Sequence, residues 1–195
     1  MTEKNVFALG GPTGSGESTI TQALIERFPV CARLVTATTR APRGLEKHGV
    51  DYYFFSKEEF ERHITTGVIA EYTYIKNRDC YYGSYKPDLD KKIAEGKIVI
   101  VNVDAVGVAY YREHYAATAI FLKPESIEEI ERRLRSRDVG IAETELTKRL
   151  LNAKEEIQNE EHVYDESVIN KRDHLQEAVE EVVLILRDSG YTLGE

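Results

Sequence analysis

The chain has 195 residues, a formal charge of −8, and is 42% hydrophobic and 31% charged. That length suits one α/β domain with a sizeable core, and the composition is ordinary for a soluble globular protein. The acidic total argues against a general nucleic-acid binder, and no apolar run approaches the roughly 18 residues of a membrane span, so neither nucleic acid nor membrane is expected as a partner.

Asn5 to Leu9 is a short apolar run that predicts a buried parallel strand. Residues 11–18 then read Gly-Pro-Thr-Gly-Ser-Gly-Glu-Ser. Against the phosphate-loop pattern G-x-x-x-x-G-K-[ST], Gly11, Gly16 and Ser18 are in place and Glu17 stands at the lysine position. Ile20, Leu24, Ile25 and Phe28 follow at helical spacing, and Pro29 ends that helix. Residues 33–88 break the rhythm. They are rich in Tyr, Thr, Arg and Gly, with strand-like pieces at 33–37, 52–55 and 69–75 and a short helix capped by Ser56 and Glu59. We read them as a mostly-β insertion. Strands are expected at 98–103 and from Thr118 to Leu122, and a capping box of Ser126 and Glu129 opens a helix to about Arg135. Residues 136–144 form a shorter polar insertion that reads as a lid. Leu146, Leu150, Ala153 and Ile157 mark another helix, Ser167-Val168-Ile169 a short strand, and the stripe from Leu175 to Leu186 a last helix. This alternation implies a parallel sheet with helices on both faces, its core formed by residues 1–32 and 89–195. Cys31 and Cys80 lack a CxxC spacing and are expected to be reduced thiols. The N-terminus has no signal-like apolar region, so a cytoplasmic location is expected.

Three groups of residues carry chemistry. In the glycine loop, converging backbone N–H groups and the positive end of the following helix favour phosphate, and Ser18 can offer its hydroxyl to Mg²⁺. A lysine at position 17 would attract the β- and γ-phosphates, whereas Glu17 repels them. The second group is Thr38-Thr39-Arg40-Ala41-Pro42-Arg43, where two arginines stiffened by a proline suit an anionic oxygen cluster. Glu46 and Asp51-Tyr52 follow it. The third is Glu71 with Tyr81-Tyr82-Gly83-Ser84. Hydroxyls there can bond phosphate, and a carboxylate can accept from the amide-like N–H groups of a base.

These motifs, with Asp104 and the segment from Arg137 to Arg149, resemble the guanylate kinase family over about residues 5–188. The series T-T-R-x-P-R…E…D-Y is highly specific. The resemblance implies an α/β P-loop NTPase-type fold and transfer of phosphate from ATP to GMP with Mg²⁺. It implies that Gly11, Pro12, Thr13, Gly14, Ser15, Gly16, Glu17, Ser18 and Thr19 meet ATP, with Asn170 near the adenine. It implies that Arg40, Arg43, Tyr52 and Tyr82 hold the GMP phosphate, and that Glu46 belongs to the GMP site. Glu71, Thr36 and Ser84 would read the guanine edge. Arg43, Arg137 and Arg149 would act in catalysis, Ser18 and Asp104 near the metal, and Asp104 also at the GMP site. Residues 33–88 would be the GMP-binding insertion and 136–144 the lid.

The chain departs from the family pattern in four places. Glu17 replaces the loop lysine, and Asn102 replaces the first acidic residue of the strand-end pair that ends with Asp104. Thr36 replaces a usual serine. The segments from Glu71 to Tyr82 and from Arg137 to Arg149 are each slightly long. Glu17 predicts weakened catalysis. The rival reading is a catalytically dead guanylate-kinase-like module that binds GMP or a protein ligand.

Overall fold

The computed structural model describes residues 4–194. In chain order the elements are β1 (Val6–Gly10), α1 (Glu17–Arg27), β2 (Cys31–Arg33), β3 (Ala37–Thr38), β4 (Tyr53–Phe54), α2 (Lys57–Thr65), β5 (Ile69–Ile75), β6 (Cys80–Tyr85), α3 (Lys86–Ala94), β7 (Ile98–Asn102), α4 (Ala105–Tyr115), β8 (Thr118–Pro124), α5 (Ile127–Arg137), α6 (Glu143–Asn159), β9 (Glu166–Asn170) and α7 (Leu175–Asp188).

Five strands form a parallel sheet in the order β2-β7-β1-β8-β9. Alternation along β1 divides the core into two layers. Phe7 and Leu9 pack with Ile20 and Leu24 of α1 and with Val179, Val182 and Leu186 of α7. Val6 and Ala8 face the other way, against Leu89 of α3 and Val108 and Tyr111 of α4. All five residues of β1 are buried, so its carboxyl end is a fixed platform for the loop that follows.

A second sheet, ordered β4-β3-β6-β5, lies between β2 and α3 in sequence. Its β5–β6 and β3–β6 pairs are antiparallel, and Phe60 of α2 packs with Ala37 and Ile69 under it. The single strand expected at 33–37 is divided. Cys31–Arg33 pairs with β7 in the large sheet, whereas Ala37–Thr38 pairs with β4 and β6 in the small one. Strand β6 and helices α3 and α4 were not expected. Strand β6 begins Cys-Tyr-Tyr-Gly, with no clean alternation, and α4 carries a glycine and three tyrosines in place of strong helix formers.

Ser56 and Glu59 form the full reciprocal capping box at α2. At α5 only half of it forms. The Ser126 hydroxyl accepts from the Glu129 N–H at 3.3 Å, but the Glu129 carboxylate turns to Arg132 and Arg133. Two guanidiniums outbid one backbone N–H for a buried carboxylate. Helices α5 and α6 pack through Ile130, Leu134, Leu146 and Ala153, and residues 138–142 connect them. Cys31 and Cys80 are free and buried. Among the described residues, no helix is long and apolar enough to cross a membrane.

Candidate active site

The carboxyl ends of β1 and β7 place the glycine loop and residues 102–104 side by side. Gly16 has φ of 104°, and a Cβ there would lie 2.2 Å from Asn170 Nδ2. Only glycine fits so tight a turn against that amide. The turn is tied by Ser15 N–H to the Pro12 carbonyl at 2.9 Å. Asn170 Nδ2 donates to the Ser15 carbonyl at 2.8 Å, so this buried side chain, expected beside an adenine, is engaged in holding the loop.

Arg133 was not singled out from the sequence, and it is the second anchor of the loop. It donates to the carbonyls of Gly14 and Ser15 at 3.0 Å each and to the Asn170 carbonyl at 2.9 Å, with Glu129 at 2.8 Å. These bonds take up the carbonyls of Gly14 and Ser15 and so fix the shape of the loop. Only its i,i+4 spacing from Glu129 could have signalled it.

Glu17 begins α1. The Ser15 hydroxyl donates to Glu17 Oε1 at 3.3 Å, and Asn102 Nδ2 lies 3.5 Å from Oε2. Asn102 Oδ1 in turn accepts from Thr21 at 3.4 Å. Burial pushes the Glu17 carboxyl up to about 7, against the pull of the Asn102 and Ser15 bonds. Glu17 separates two cavities. One, of about 380 Å³, is lined by Thr13, Gly14, Ser18, Thr19, Arg133 and Arg137. The other, of about 390 Å³, also holds Asp104, Glu156 and Glu160. Burial raises Glu156 to about 7 as well, and neighbouring Glu160 and Asp104 add to the shift.

Asp104 caps α4. Its Oδ1 accepts from the N–H groups of Val106 and Gly107 at 3.1 Å each, and Oδ2 accepts from Thr73 at 2.7 Å. It thereby ties β5 of the small sheet to the end of β7.

A cavity of about 260 Å³ lies between the sheets, lined by Thr36, Tyr52, Glu71, Tyr82, Asn102 and Asp104, among others. Glu71 is the half-buried acid of this cavity. The Ser84 hydroxyl donates to its Oε1 at 2.5 Å, and burial first, then the Asp104 charge, push the Glu71 carboxyl up to about 7. Ser84 is fully buried behind Glu71, so its hydroxyl orients the acid. Tyr52 and Tyr82 lie edge to face at 6.0 Å.

Arg40 is almost saturated. Nε donates to the Tyr82 hydroxyl at 3.1 Å, Nη1 to the Ala41 carbonyl and Glu46 Oε2 at 2.8 Å each, and Nη2 to Glu46 Oε1 at 3.0 Å. Of five guanidinium hydrogens one is left. The Arg40 bonds and the Arg43 N–H at 2.7 Å hold the Glu46 carboxyl down near 2. Glu46 therefore shapes the arginine turn, and Arg43 is the cation that this turn frees.

Arg43 opens into a cleft of about 840 Å³, shared with Thr13 of the loop and with Arg78, Arg137, Asp138, Arg149 and Glu156. Arg137 meets Asp138 at 3.2 Å, and Arg149 meets Asp138 at 2.6 Å and Glu145 at 2.8 Å.

A family model for guanylate kinase matches residues 3–189. The chain belongs to the guanylate kinase family. Guanylate kinases of Synechocystis sp. and Porphyromonas gingivalis are 36% and 37% identical to it, covering 93% and 91% of this chain and 92% and 93% of their own. The crystal structure of guanylate kinase from Anaplasma phagocytophilum superposes with a TM-score of 0.74 at 27% identity, covering 98% of this chain and 89% of that one. The mostly parallel sheet flanked by helices agrees with the α/β P-loop expectation.

Proposed function

We propose that this chain transfers the γ-phosphoryl group of ATP to GMP, giving ADP and GDP, and that Glu17 slows the transfer. The observation that carries the acceptor is Glu71, a half-buried carboxylate bonded by Ser84 in a cavity it shares with Thr36, Tyr52 and Tyr82. Guanine offers N1–H and a 2-amino group to such a carboxylate. Adenine offers neither on that edge and leaves the acid unpaired, which discriminates strongly. Arg43, the remaining N–H of Arg40, and the hydroxyls of Tyr52 and Tyr82 supply the phosphate contacts of the acceptor.

The donor reading rests on the loop from Gly11 to Thr19, whose N–H groups and helix end favour phosphate. Arg137 and Arg149 line the cleft between the sites and would neutralise charge as the phosphoryl group moves. Asn170 holds the loop through Nδ2, which leaves Oδ1 for the adenine expected beside it.

No cluster of three or more His, Cys, Asp or Glu side chains set to hold a metal occurs among the described residues. That fits Mg²⁺, which commonly binds through nucleotide phosphates and only one or two protein oxygens. The exposed Ser18 hydroxyl and Asp104 are the protein oxygens that would hold it. When bound it would offset phosphate charge.

Residues 33–88 act as the GMP-binding part and 136–144 as the lid, on a core of 1–32 and 89–195. Closing them would exclude water from the cleft and protect ATP from hydrolysis. Substrates of this kind support a cytoplasmic location. Calorimetric titration tests the reading. GMP binds well above AMP if it is right, and equal affinities or no GMP binding remove it.

A further inference from the structure

Arg78 has no role in the assignments above. It ends a 3-10 turn, Lys76–Arg78, in the slightly long segment between Glu71 and Tyr82. The turn is built and anchored. It closes on Asp79 at φ of 48°, and the Asp79 carboxylate accepts from both the Tyr74 hydroxyl and Lys57. Arg78 therefore projects from a pinned turn into the cleft that also holds Thr13 of the phosphate loop and Arg43 of the acceptor site. It enters from the small-sheet side, where Glu145 Oε1 lies between it and Arg149 of α6.

The charge in that cleft is unevenly committed. Arg137 and Arg149 are held by Asp138, and Arg149 also by Glu145. Arg78 approaches Glu145 at only 3.7 Å, beyond a hydrogen bond, with 43% of its side chain exposed. An exposed pair at that distance contributes little and exchanges readily. Four arginines face two acids there, Asp138 and Glu156, while the loop carries a carboxylate, Glu17, in place of a cation in the two neighbouring cavities. Phosphoryl transfer needs its moving charge neutralised from fixed positions.

We propose that Arg78 is a catalytic residue, which exchanges Glu145 for the phosphate chain when both nucleotides are bound and so supplies part of the positive charge that the loop lacks. This rests on the ATP–GMP reading above. In the step it serves, a GMP phosphate oxygen forms a bond to the γ-phosphorus while the bond to the β–γ bridging oxygen breaks, and that electron pair leaves with ADP. Four negative charges on ATP and two on GMP become three on ADP and three on GDP. Arg78 donates no proton in this step. Its guanidinium meets non-bridging oxygens whose charge shifts between the two nucleotides.

The test compares the intact chain with Arg78→Ala and Arg78→Lys. Two quantities are read in each: kcat with ATP and GMP, and affinity for a dinucleotide in which adenosine and guanosine are joined by five phosphates. The proposal expects Arg78→Ala to lose about 10- to 100-fold in both, with Arg78→Lys recovering part, while affinity for GMP alone stays within about twofold. A purely structural turn residue would instead lower GMP affinity and folding stability together, and Arg78→Lys would not recover the loss. If the intact chain binds GMP and the dinucleotide and Arg78→Ala matches it in both, Arg78 has no such role and the ATP–GMP reading stands. If the intact chain binds neither ligand, that reading falls and this one with it.

Discussion

Asn102 Nδ2 lies 3.5 Å from Glu17 Oε2, so two departures from the family pattern touch each other. An aspartate at 102 would set a second carboxylate against Glu17, whereas an asparagine offers a donor. The first turn of α1 also favours a carboxylate, because its dipole end is positive. Glu17 is thus accommodated locally while it opposes phosphate.

That contact makes the two positions interdependent. Glu17→Lys should raise kcat/KM for ATP on the order of 100-fold or more and leave GMP affinity nearly unchanged, because the acceptor site is separate. Combining it with Asn102→Asp should exceed the product of the single changes, by a coupling of about 0.5–3 kcal/mol. Steady-state kinetics on the four proteins of the cycle measure this. Additive effects would show that the contact has no energetic content.

GMP affinity should depend on pH through Glu71. Burial holds the free carboxyl near 7, and guanine N–H donors favour the ionised form, so the complex holds fewer protons than the free protein. Affinity is then full above about pH 7 and falls as pH drops below it, by about tenfold per unit, until the carboxyl of the complex also protonates. Calorimetry in buffers of different ionisation enthalpy should show proton release near pH 6.5. Glu71→Gln should weaken GMP and abolish that release, leaving only the titration of the nucleotide phosphate near 6.

Glu129 should matter to stability and to the loop at once. Bonds from Arg132, then from Arg133, hold its carboxyl near 2 against burial, below the ordinary 4.5. A depressed carboxyl contributes stability fully above about pH 4.5, and the contribution disappears as pH falls toward 2. Glu129→Gln should cost about 1–3 kcal/mol at pH 7 in chemical denaturation, because the partly buried Arg133 is left with a weaker, neutral partner. The difference should shrink steadily in acid. A constant difference would point to packing instead.

Closure can be followed directly. A pair of fluorescent labels, one at exposed Glu58 on α2 and one at exposed Gly140 in the α5–α6 connection, should approach with GMP and approach further with both nucleotides. Distances that stay fixed at saturating GMP would remove the lid role of 136–144.

Most of the large sheet was legible because β1, β7 and β8 are short apolar runs and α7 is strongly periodic, as in Val6–Leu9 and the Leu175–Leu186 stripe, whereas β2, α3 and α4 carry no such pattern. The small sheet was harder to read. Strands of two residues such as Ala37–Thr38 are too short to show a period, and β6 hides a strand in a tyrosine run. The loop and the arginine turn were visible because chemistry fixes their spacing. Arg133, Glu156 and Arg78 were not, because each acts through contacts distant in sequence. Arg133 reaches across 119 residues to the Gly14 carbonyl. The role of Ser84 also shifted, since a hydroxyl adjacent in sequence to the cavity turned out to lie behind Glu71.

The most direct test of the account is transfer itself. Purified protein is incubated with Mg²⁺, γ-labelled ATP and either GMP or AMP, and the labelled nucleoside diphosphate is quantified over time. The account predicts labelled GDP, formed more slowly than the roughly 1–100 s⁻¹ usual for kinases, and at least on the order of 10³-fold less labelled ADP from AMP. GMP that binds while no labelled GDP forms, even with Glu17→Lys, would contradict it and leave a module that binds nucleotide without transferring phosphate.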